Sequence, residues 1–258
     1  MTADLRWIWP VLAAPFIGSF LGVLITRLPQ GQPVALDRSR CLHCRTALGV
    51  PDLVPVLSYV ALRGRCRHCG QGIGAFHPAI ELAATAVAVV AASVAADPGR
   101  LWIDCALGWT LLTLGWIDHV SLLLPDVLTL PLLLAGLVVT WLGQPEAVTD
   151  HAAAATLGYL SFQALAWGYR RLRGWDGLGG GDAKLIAAAG AWCGLAALPW
   201  IVVWSALFGL VVALAGAVRS RRLDARVQIP FGPCIGAAFW MIWLLPGLAE
   251  LMGPTGWG

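Results

Sequence analysis

The stretch GWDGLGGGDAKL, from Gly174 to Leu185, is a short polar interruption between two long apolar segments. It gathers five glycines, two aspartates and the only lysine of the chain, Lys184. Apolar segments near 20 residues long predict membrane spans, and a polar segment between two of them predicts a loop at the membrane surface. The fold class therefore depends on how many further spans the chain contains.

The overall composition is typical of a polytopic membrane protein. Of the 258 residues, 59% are hydrophobic and only 12% are charged, whereas soluble domains carry about 25% charged residues. Fourteen tryptophans agree with this class because Trp favours membrane interfaces. A net charge of +3 gives no case for a nucleic-acid partner, and nothing in the composition sets an oligomeric state. No cleavable signal peptide is evident, so we expect the first apolar segment to be retained.

Apolar segments of about spanning length predict an all-α fold with about eight transmembrane helices. The sixth and seventh segments meet at Leu198 and Pro199, which predicts a tight hairpin at that point. The predicted spans are 8–27, 78–96, 101–118, 122–142, 151–169, 183–197, 199–218 and 231–252.

The distribution of basic residues predicts the orientation of these spans. With the N-terminus outside, fifteen of the seventeen Lys and Arg residues lie on the cytoplasmic side, and only Arg6 and Arg100 lie outside. The opposite orientation would violate the positive-inside rule. Both termini are then expected to be extracytoplasmic. The cytoplasmic set is Arg27, Arg38, Arg40, Arg45, Arg63, Arg65, Arg67, Arg170, Arg171, Arg173, Lys184, Arg219, Arg221, Arg222 and Arg226.

Two CxxC motifs stand in the one sizeable polar loop, which covers residues 28–77. They are CLHC, with Cys41 and Cys44, and CRHC, with Cys66 and Cys69, and 21 residues separate them. This spacing is typical of a structural zinc site, in which four thiolates surround one tetrahedral ion. Two separate redox pairs, or thiols that bind no metal, are the alternatives. The cytoplasmic location predicted for the loop disfavours structural disulfides.

Four carboxylates are predicted near the cytoplasmic ends of spans. Asp118 ends the third span, Asp126 follows after Pro125, Asp182 begins the sixth span and Glu81 begins the second. Ionisable groups at such positions are costly and are functional candidates. Two carboxylates that share a proton can act as base and acid on a water and a carbonyl, which is aspartic protease chemistry.

Other interpretations of these residues remain open at this level. Asp118, Asp126 and Asp182 could be helix caps or solvated helix-end residues, or part of a proton or ion pathway as in a transporter. The chain could also be a non-catalytic, zinc-bearing assembly scaffold. Gly179 and Gly181 would let a substrate backbone come close to Asp182. Lys184 could hold the helix end at the lipid headgroups or bias the ionisation of the pair.

Five blocks of the sequence, in order and spread over nearly its whole length, resemble the type IV prepilin peptidases. These are bifunctional leader peptidases and N-methyltransferases of the bacterial inner membrane. The blocks are GSFLGVLITRLP (residues 18–29), the two CxxC motifs with LRGRCRHCG, IDHVSLLLPDVLTLP (117–131), GLGGGDAKL (177–185) and IPFGPCIG (229–236).

The resemblance implies an aspartic peptidase whose catalytic pair is Asp118 and Asp182, with Asp126 in a supporting role and not excluded as a partner. It implies cleavage of the short basic leader of a prepilin or pseudopilin after a glycine, at the cytoplasmic membrane face. The new N-terminus is then methylated from S-adenosylmethionine. The implied domains are a first helix over 1–27, a methyltransferase-associated zinc loop over 28–77 and a transmembrane peptidase domain over 78–258.

The chain departs from the family pattern in two places. Gly22 stands where the family typically carries Asn, and Phe76-His77 replaces an Arg-Tyr pair before the proline near Glu81. Both lie in or beside the region associated with methyl transfer, and neither touches the aspartates. The sequence carries no glycine-rich nucleotide fingerprint after a strand, so Glu81 and the zinc loop are where we expect the methyl donor to bind.

Overall fold

The computed structural model describes residues 7–34, 39–41, 43–174, 179–220 and 230–247. Within them the chain is helical apart from short loops and two isolated β-bridges, which confirms the all-α class. The α-helices of this part are α1 (Ile8–Arg27), α2 (Leu57–Ala61), α3 (Phe76–Val94), α4 (Pro98–Ser121), α5 (Asp126–Gly143), α6 (Val148–Arg173), α7 (Gly180–Ser220) and α8 (Gly232–Leu244). Sequence predictions that fall outside the described residues concern Arg6, Arg38, Gly177, Arg221, Arg222 and Arg226.

Four helices of the described residues are long and apolar enough to cross a membrane. They are Ile8–Gln30, Phe76–Val94, Asp126–Gly143 and Gly180–Arg219, and α8 is a shorter apolar helix. Helices α4 and α6 coincide with the third and fifth predicted spans without meeting this criterion of length and hydropathy. The multi-pass character is therefore supported, and the count of about eight spans stays a prediction.

Helix α7 has an internal break that corrects the predicted hairpin. The break falls at Gly194, with φ 76° and ψ 179°, whereas Leu198 and Pro199 are helical. Only glycine adopts such backbone angles without steric cost. The side chain of Asp150 in α6 stabilises the break, because its Oδ2 accepts a hydrogen bond of 2.9 Å from the Leu195 N–H. Asp150 thus caps the second part of α7.

The chain divides into two compact units, Met1–Thr113 and Leu114–Gly258. In the first unit α1 packs closely against α3 through two glycines spaced four residues apart. A Cβ on Gly18 would lie 2.6 Å from Glu81 Cα, and one on Gly22 would lie 2.8 Å from His77 Nδ1. Small residues at this spacing let the backbones of two membrane helices approach each other.

The contact between Gly22 and His77 links the two departures from the family pattern. An Asn at position 22 would place its Cβ against the imidazole of His77. The absence of a side chain on Gly22 is what leaves room for the ring of His77. Positions 22 and 77, which the resemblance singles out, are therefore neighbours in this chain.

In the second unit α7 packs against α5, α6 and α8. Trp192 of α7 inserts toward α5, where its Nε1–H donates a hydrogen bond of 2.7 Å to the Leu132 carbonyl. Gly136 makes room for this indole, since a Cβ there would collide with the Trp192 ring. Gly190 likewise lets α7 approach α6, since a Cβ there would collide with the backbone of Ala154. These close contacts fix the direction of α7 and, with it, the position of its first turn.

Candidate active site and metal site

Two aspartates of the second unit are buried at helix ends. Asp118 lies in the last turn of α4 and is 6% exposed, and Asp182 lies in the first turn of α7 and is 8% exposed. Burial of a carboxyl group in an apolar protein is costly unless the group is paired or hydrogen-bonded. Asp118 is therefore not the solvated helix-end residue that one interpretation of the sequence allowed.

The carboxyl group of Asp118 is held by the first residue of α8. Gly232 N–H donates a hydrogen bond of 2.8 Å to Asp118 Oδ2. The chain turns sharply just after Asp118, because Leu122, with φ 54°, closes the helix by donating its N–H to the Asp118 carbonyl. A left-handed residue other than glycine costs about 1 kcal/mol, so the surrounding packing must hold this turn.

The carboxyl group of Asp182 bonds back to the start of its own helix. The backbone N–H of Gly179 donates a hydrogen bond to it, which is one half of a capping box. Asp182 thus does cap α7, as one interpretation of the sequence allowed, while its side chain is buried. Gly181 brings this turn against the loop after α4, since a Cβ there would lie 2.8 Å from Leu124 Cβ.

The charges of Asp118 and Asp182 act on each other in this structure. Asp118 and Asp182 belong to different helices and are 64 residues apart in the sequence. Each carboxyl group is oriented by one backbone N–H. Each therefore keeps an oxygen free of that hydrogen bond. A free oxygen on each acid is what acid–base chemistry by a pair of carboxyl groups requires.

Asp126 and Lys184 form an ion pair that joins the first turns of α5 and α7. Their side chains are 56% and 33% exposed, and Asp126 makes no side-chain cap of its own helix. The pairing gives Lys184, which lies two residues after Asp182 in the sequence, a role that the sequence left open, because its ammonium neutralises the exposed carboxylate of Asp126. Of the three aspartates, Asp126 is the exposed one.

Glu81 lies in the first unit, buried on α3 with 6% exposure. Its Oε2 accepts a hydrogen bond of 2.7 Å from the Val56 N–H. Val56 precedes α2 with φ 58°, an unusual conformation for a β-branched residue. The structure therefore holds the loop before α2 in a strained form that aims a backbone donor at Glu81.

The four cysteines of the CxxC motifs come together in the first unit. Their Sγ atoms all lie within 4.8 Å of one another, and Cys41 Sγ and Cys69 Sγ are 3.9 Å apart. Zinc with four thiolates at about 2.3 Å has sulfur atoms about 3.8 Å apart on the edges of its tetrahedron. The observed distance fits this geometry, so the residues present can hold a metal ion.

The two CxxC motifs have the same backbone hydrogen bonds. The N–H of Cys41 donates to the Thr46 carbonyl and that of Cys66 to the Gln71 carbonyl, each five residues on. In both loops the residue four positions after the first cysteine has a positive φ, 57° at Arg45 and 70° at Gly70. The paired turns present two sulfur atoms each in equivalent geometry.

Local hydrogen bonds favour the thiolate form of two of these cysteines. The Thr46 side chain and backbone lower the pKa of the Cys44 thiol to about 6. Backbone N–H groups of Cys69 and His68 lower the pKa of Cys66. Zinc binds the thiolate form, so the surroundings of Cys44 and Cys66 favour metal binding, whereas desolvation and neighbouring cysteines raise the pKa of the Cys69 thiol to about 11.

Two protein-family models match consecutive parts of this chain. A family model of the bacterial Peptidase A24 N-terminal domain matches residues 12–95, and a model of the type IV leader peptidase family matches residues 105–214. The chain belongs to the type IV leader peptidase family. The second match contains Asp118 and Asp182, and the first contains Glu81 and the four cysteines.

Relatives in this family are similar over most of their length. The chain is 41% identical to a prepilin leader peptidase/N-methyltransferase of Burkholderia pseudomallei (strain 1026b), over 86% of this chain and 79% of the relative. It is 38% identical to the protein of the same name from Aeromonas hydrophila, over 92% and 91% of the two chains. For the Pseudomonas aeruginosa relative the identity is 34%, over 90% and 87%. No solved structure matches this chain.

Gly232 is the site residue to which the sequence analysis assigned no role. It belongs to one of the five blocks, but a glycine before a proline at a helix start predicts only a turn. Its function as a donor to Asp118 depends on a contact across 114 residues. The one local feature of the sequence that pointed to Gly232 is the Gly-Pro pair at the start of an apolar helix.

Proposed function

We propose that this protein is a membrane aspartic endopeptidase that removes the leader of type IV prepilins or pseudopilins, with Asp118 and Asp182 as its catalytic pair. The observation that carries the proposal is the burial of two interacting carboxyl groups at helix ends, each bonded to one backbone N–H. The names of the relatives, prepilin leader peptidase/N-methyltransferase, supply the substrate class.

The pair works with one proton between the two acids. The ionised carboxylate takes a proton from a bound water molecule, and the oxygen of that water attacks the carbonyl carbon of the scissile peptide bond. The other carboxyl group donates its proton to the carbonyl oxygen. The product of this step is a tetrahedral diol with no net gain or loss of charge.

Collapse of the diol completes the cleavage. The carboxyl group that gained a proton from water delivers it to the leaving nitrogen, and the carbon–nitrogen bond breaks. The second carboxylate recovers a proton from a diol hydroxyl, so the pair returns to its starting state. The backbone donors Gly232 and Gly179 keep one oxygen of each acid in place during these transfers.

The scissile bond follows a glycine in this proposal and lies at the cytoplasmic face. Support for that face comes from the basic residues, fifteen of which fall on one side of the predicted topology. A substrate whose apolar helix stays in the bilayer presents its leader at the membrane surface. Gly179 and Gly181 leave the start of α7 without side chains where the substrate backbone would pass.

We assign the second activity, methylation of the new N-terminus from S-adenosylmethionine, to the first unit. The relatives carry this activity in their names, and the model of the A24 N-terminal domain covers residues 12–95. The four cysteines would hold a structural zinc ion, which contributes folding free energy and leaves no open coordination position for catalysis. The apolar helices and the relatives' names support a location in the bacterial inner membrane.

Mass spectrometry of a prepilin that is co-expressed with this chain tests both activities. We expect the pilin to lose its leader at the glycine and to gain the mass of one methyl group on the new N-terminal residue. Intact leader in the presence of folded, membrane-inserted protein would refute the peptidase proposal. Cleaved pilin without the methyl group would refute the methyltransferase half alone.

Gly232→Ala should impair cleavage although it touches no substrate. The new Cβ would lie 2.8 Å from Asp118 Oδ2 and 3.0 Å from Asp118 Cβ, so the carboxyl group must shift. Displacements of about 1 Å in an active site can lower rates by about 10²-fold, and we expect a loss of that order in kcat. Gly143→Ala, which meets no atom within 4 Å, is the matched control. A Gly232→Ala rate equal to that control would contradict the role given to Gly232.

A further inference from the structure

Helix α7 folds back on itself at Gly194. Ile186 precedes the break and Leu198 follows it, yet both side chains meet the same residue of α6. A Cβ on Gly158 would lie 3.1 Å from Ile186 Cγ2 and 3.3 Å from Leu198 Cδ2. A straight helix would separate positions 186 and 198 by about 18 Å along its axis. We call residues 180–193 the first arm of α7 and residues 195–220 the second arm, and both arms pack against α6.

The break removes one backbone hydrogen bond from α7. In an unbroken helix the Leu195 N–H would donate to the Ala191 carbonyl, four residues earlier. At the break the Leu195 N–H donates instead to Asp150 Oδ2, at 2.9 Å. His151 Nδ1 lies 3.0 Å from the Ala191 carbonyl oxygen, and since a carbonyl can only accept, that nitrogen carries the proton. Two consecutive residues of α6 thus satisfy both groups that the break leaves without a helical partner.

Glycine is the residue that fits between these two side chains. A Cβ at position 194 would lie 2.7 Å from Asp150 Oδ2 and 3.1 Å from His151 Nε2. The φ of 76° at Gly194 also favours glycine. We call Asp150 and His151 the clasp. Thr140 connects the clasp to α5, because its Oγ1 lies 3.0 Å from His151 Nδ1.

The first arm carries one acid of the proposed catalytic pair. Asp182 stands in its first turn, and the helix between Asp182 and Gly194 is about 18 Å long. Residues 185–192 of this arm are all buried, so packing holds the arm as one rigid rod. A movement of the arm at the break would therefore move Asp182 as well.

The second arm supports the segment that holds the other acid. Gly209 packs against Phe231, since a Cβ on Gly209 would lie 2.9 Å from Phe231 Cε2. The next residue is Gly232, whose N–H donates to Asp118 Oδ2 at 2.8 Å. A displacement of the second arm would therefore reach Asp118 through Phe231 and Gly232.

Each arm thus positions one acid, and the two arms are joined at the clasp. We propose that Asp150 and His151 are positioning residues of the peptidase, which hold the fold-back of α7 and so set the separation of the Asp118 and Asp182 carboxyl groups. A pair of acids that shares one proton depends on that separation, and displacements of about 1 Å can lower rates by about 10²-fold. The inference rests on the proposed peptidase function and adds two residues that lie outside the five sequence blocks.

Rates of prepilin cleavage by the purified full-length chain test this role. We expect His151→Leu to lower kcat by about 10- to 10²-fold, because leucine offers no N–H to the Ala191 carbonyl. KM should change by less than about threefold, since the substitution removes no contact with the substrate. Thr149→Leu, at an exposed position in the same turn of α6, is the matched control and should keep the kcat of the unaltered chain.

Asparagine variants distinguish loss of a hydrogen bond from loss of packing. The amide nitrogen of His151→Asn can donate to the same carbonyl as Nδ1 does, so kcat should recover to within about threefold of the unaltered value. Asp150→Asn keeps an oxygen for the Leu195 N–H and should behave likewise, whereas Asp150→Leu should lose activity as His151→Leu does. Asparagine variants that are as slow as the leucine variants would overturn the positioning role.

Hydrogen–deuterium exchange of backbone amides reports the fold-back itself and shows whether each variant is folded. In His151→Leu the amides around Gly194 should exchange faster, while those of α1 in the first unit should be unchanged. Faster exchange at Gly194 with a normal kcat would show that the clasp holds the break without positioning the acids, which contradicts the inference.

Thr140→Val is a milder variant of the same contact, for the case that His151→Leu does not fold. Valine keeps the volume of threonine and removes the oxygen beside His151 Nδ1. We expect a loss of at least about threefold in kcat at unchanged KM. A normal kcat in Thr140→Val, with His151→Leu either unfolded or normal, would overturn the inference.

The outcomes separate this inference from the proposed function. If the unaltered chain cleaves prepilin and every clasp variant cleaves at the same rate, the clasp has no part in positioning and the peptidase function stands. If the folded, unaltered chain does not cleave prepilin, the proposed function fails and the inference fails with it. A fall in kcat that asparagine restores and that KM does not share supports the positioning role specifically.

Discussion

Asp118→Asn and Asp182→Asn should each lower kcat for leader cleavage by about 10²- to 10⁴-fold, the range that general acid–base groups contribute. Asparagine keeps the shape of the side chain and can still accept a hydrogen bond from Gly232 or Gly179. It cannot exchange the proton on which the pair depends. The measurement is the rate of cleavage of a purified prepilin in detergent.

The activity of the double variant distinguishes two hypotheses: that the two aspartates act as one catalytic pair, or that they are independent structural acids. Residues that act as one unit show losses that do not add, so Asp118→Asn/Asp182→Asn should be within about tenfold of either single variant. Asp97→Asn is the matched control, because Asp97 is exposed and its capping of Gly99 is a role that asparagine also performs. Near-normal cleavage by either single variant would show that Asp118 and Asp182 are not the catalytic pair.

Asp126 provides a further comparison, since the sequence left it open as a partner of Asp182. Its side chain is 56% exposed and paired with Lys184, and exposed ion pairs contribute about 0 to 1 kcal/mol. Asp126→Asn should therefore lower cleavage by less than about tenfold. A loss as large as that of Asp118→Asn would make Asp126 the second member of the pair.

Cys41→Ser and Cys66→Ser should release the metal from the first unit. The unaltered chain is expected to contain one zinc ion, and structural zinc sites contribute about 10 to 16 kcal/mol of binding free energy at neutral pH. A loop of this size cannot replace that contribution with a core of its own. The direct measurement is zinc content by elemental analysis of the purified chain.

Loss of zinc should affect the two activities unequally. Because the four cysteines belong to the first unit, to which we assign the methyltransferase activity, methylation should fall to background. The Asp118 and Asp182 carboxyl groups belong to the second unit, so cleavage should fall less. Cys193→Ser in α7 is the matched control and should keep its zinc. A metal-free unaltered chain, or full methylation without zinc, would contradict this prediction.

The sequence by itself was enough to predict most of the secondary structure. Long apolar runs predicted helices at the places where α1, α3, α5 and α8 occur, because burial of apolar residues in a membrane depends on local composition. The CxxC spacing likewise predicted the cysteine cluster, since each motif places two sulfur atoms by its own short turn. The positions of Asp118 and Asp182 at helix ends could be inferred for the same local reason.

Contacts between residues distant in sequence were decided only by the tertiary structure. The hydrogen bond from Gly232 to Asp118 spans 114 residues, and the pairing of Lys184 with Asp126 spans 58. The break at Gly194 was expected four residues later, because the capping carboxylate of Asp150 comes from another helix. No local pattern encodes which distant backbone or side chain will satisfy a given group.

The stretch from Gly174 to Leu185 illustrates the same division. Its composition determined that a polar turn begins α7 and that Asp182 stands in the first turn, since glycines and an acidic residue favour a helix start. The contacts that this stretch makes with other helices could not be predicted from its composition. Burial of Asp182, its interaction with Asp118 and the neutralisation of Asp126 by Lys184 arise because α4, α5 and α7 converge, which is a property of packing.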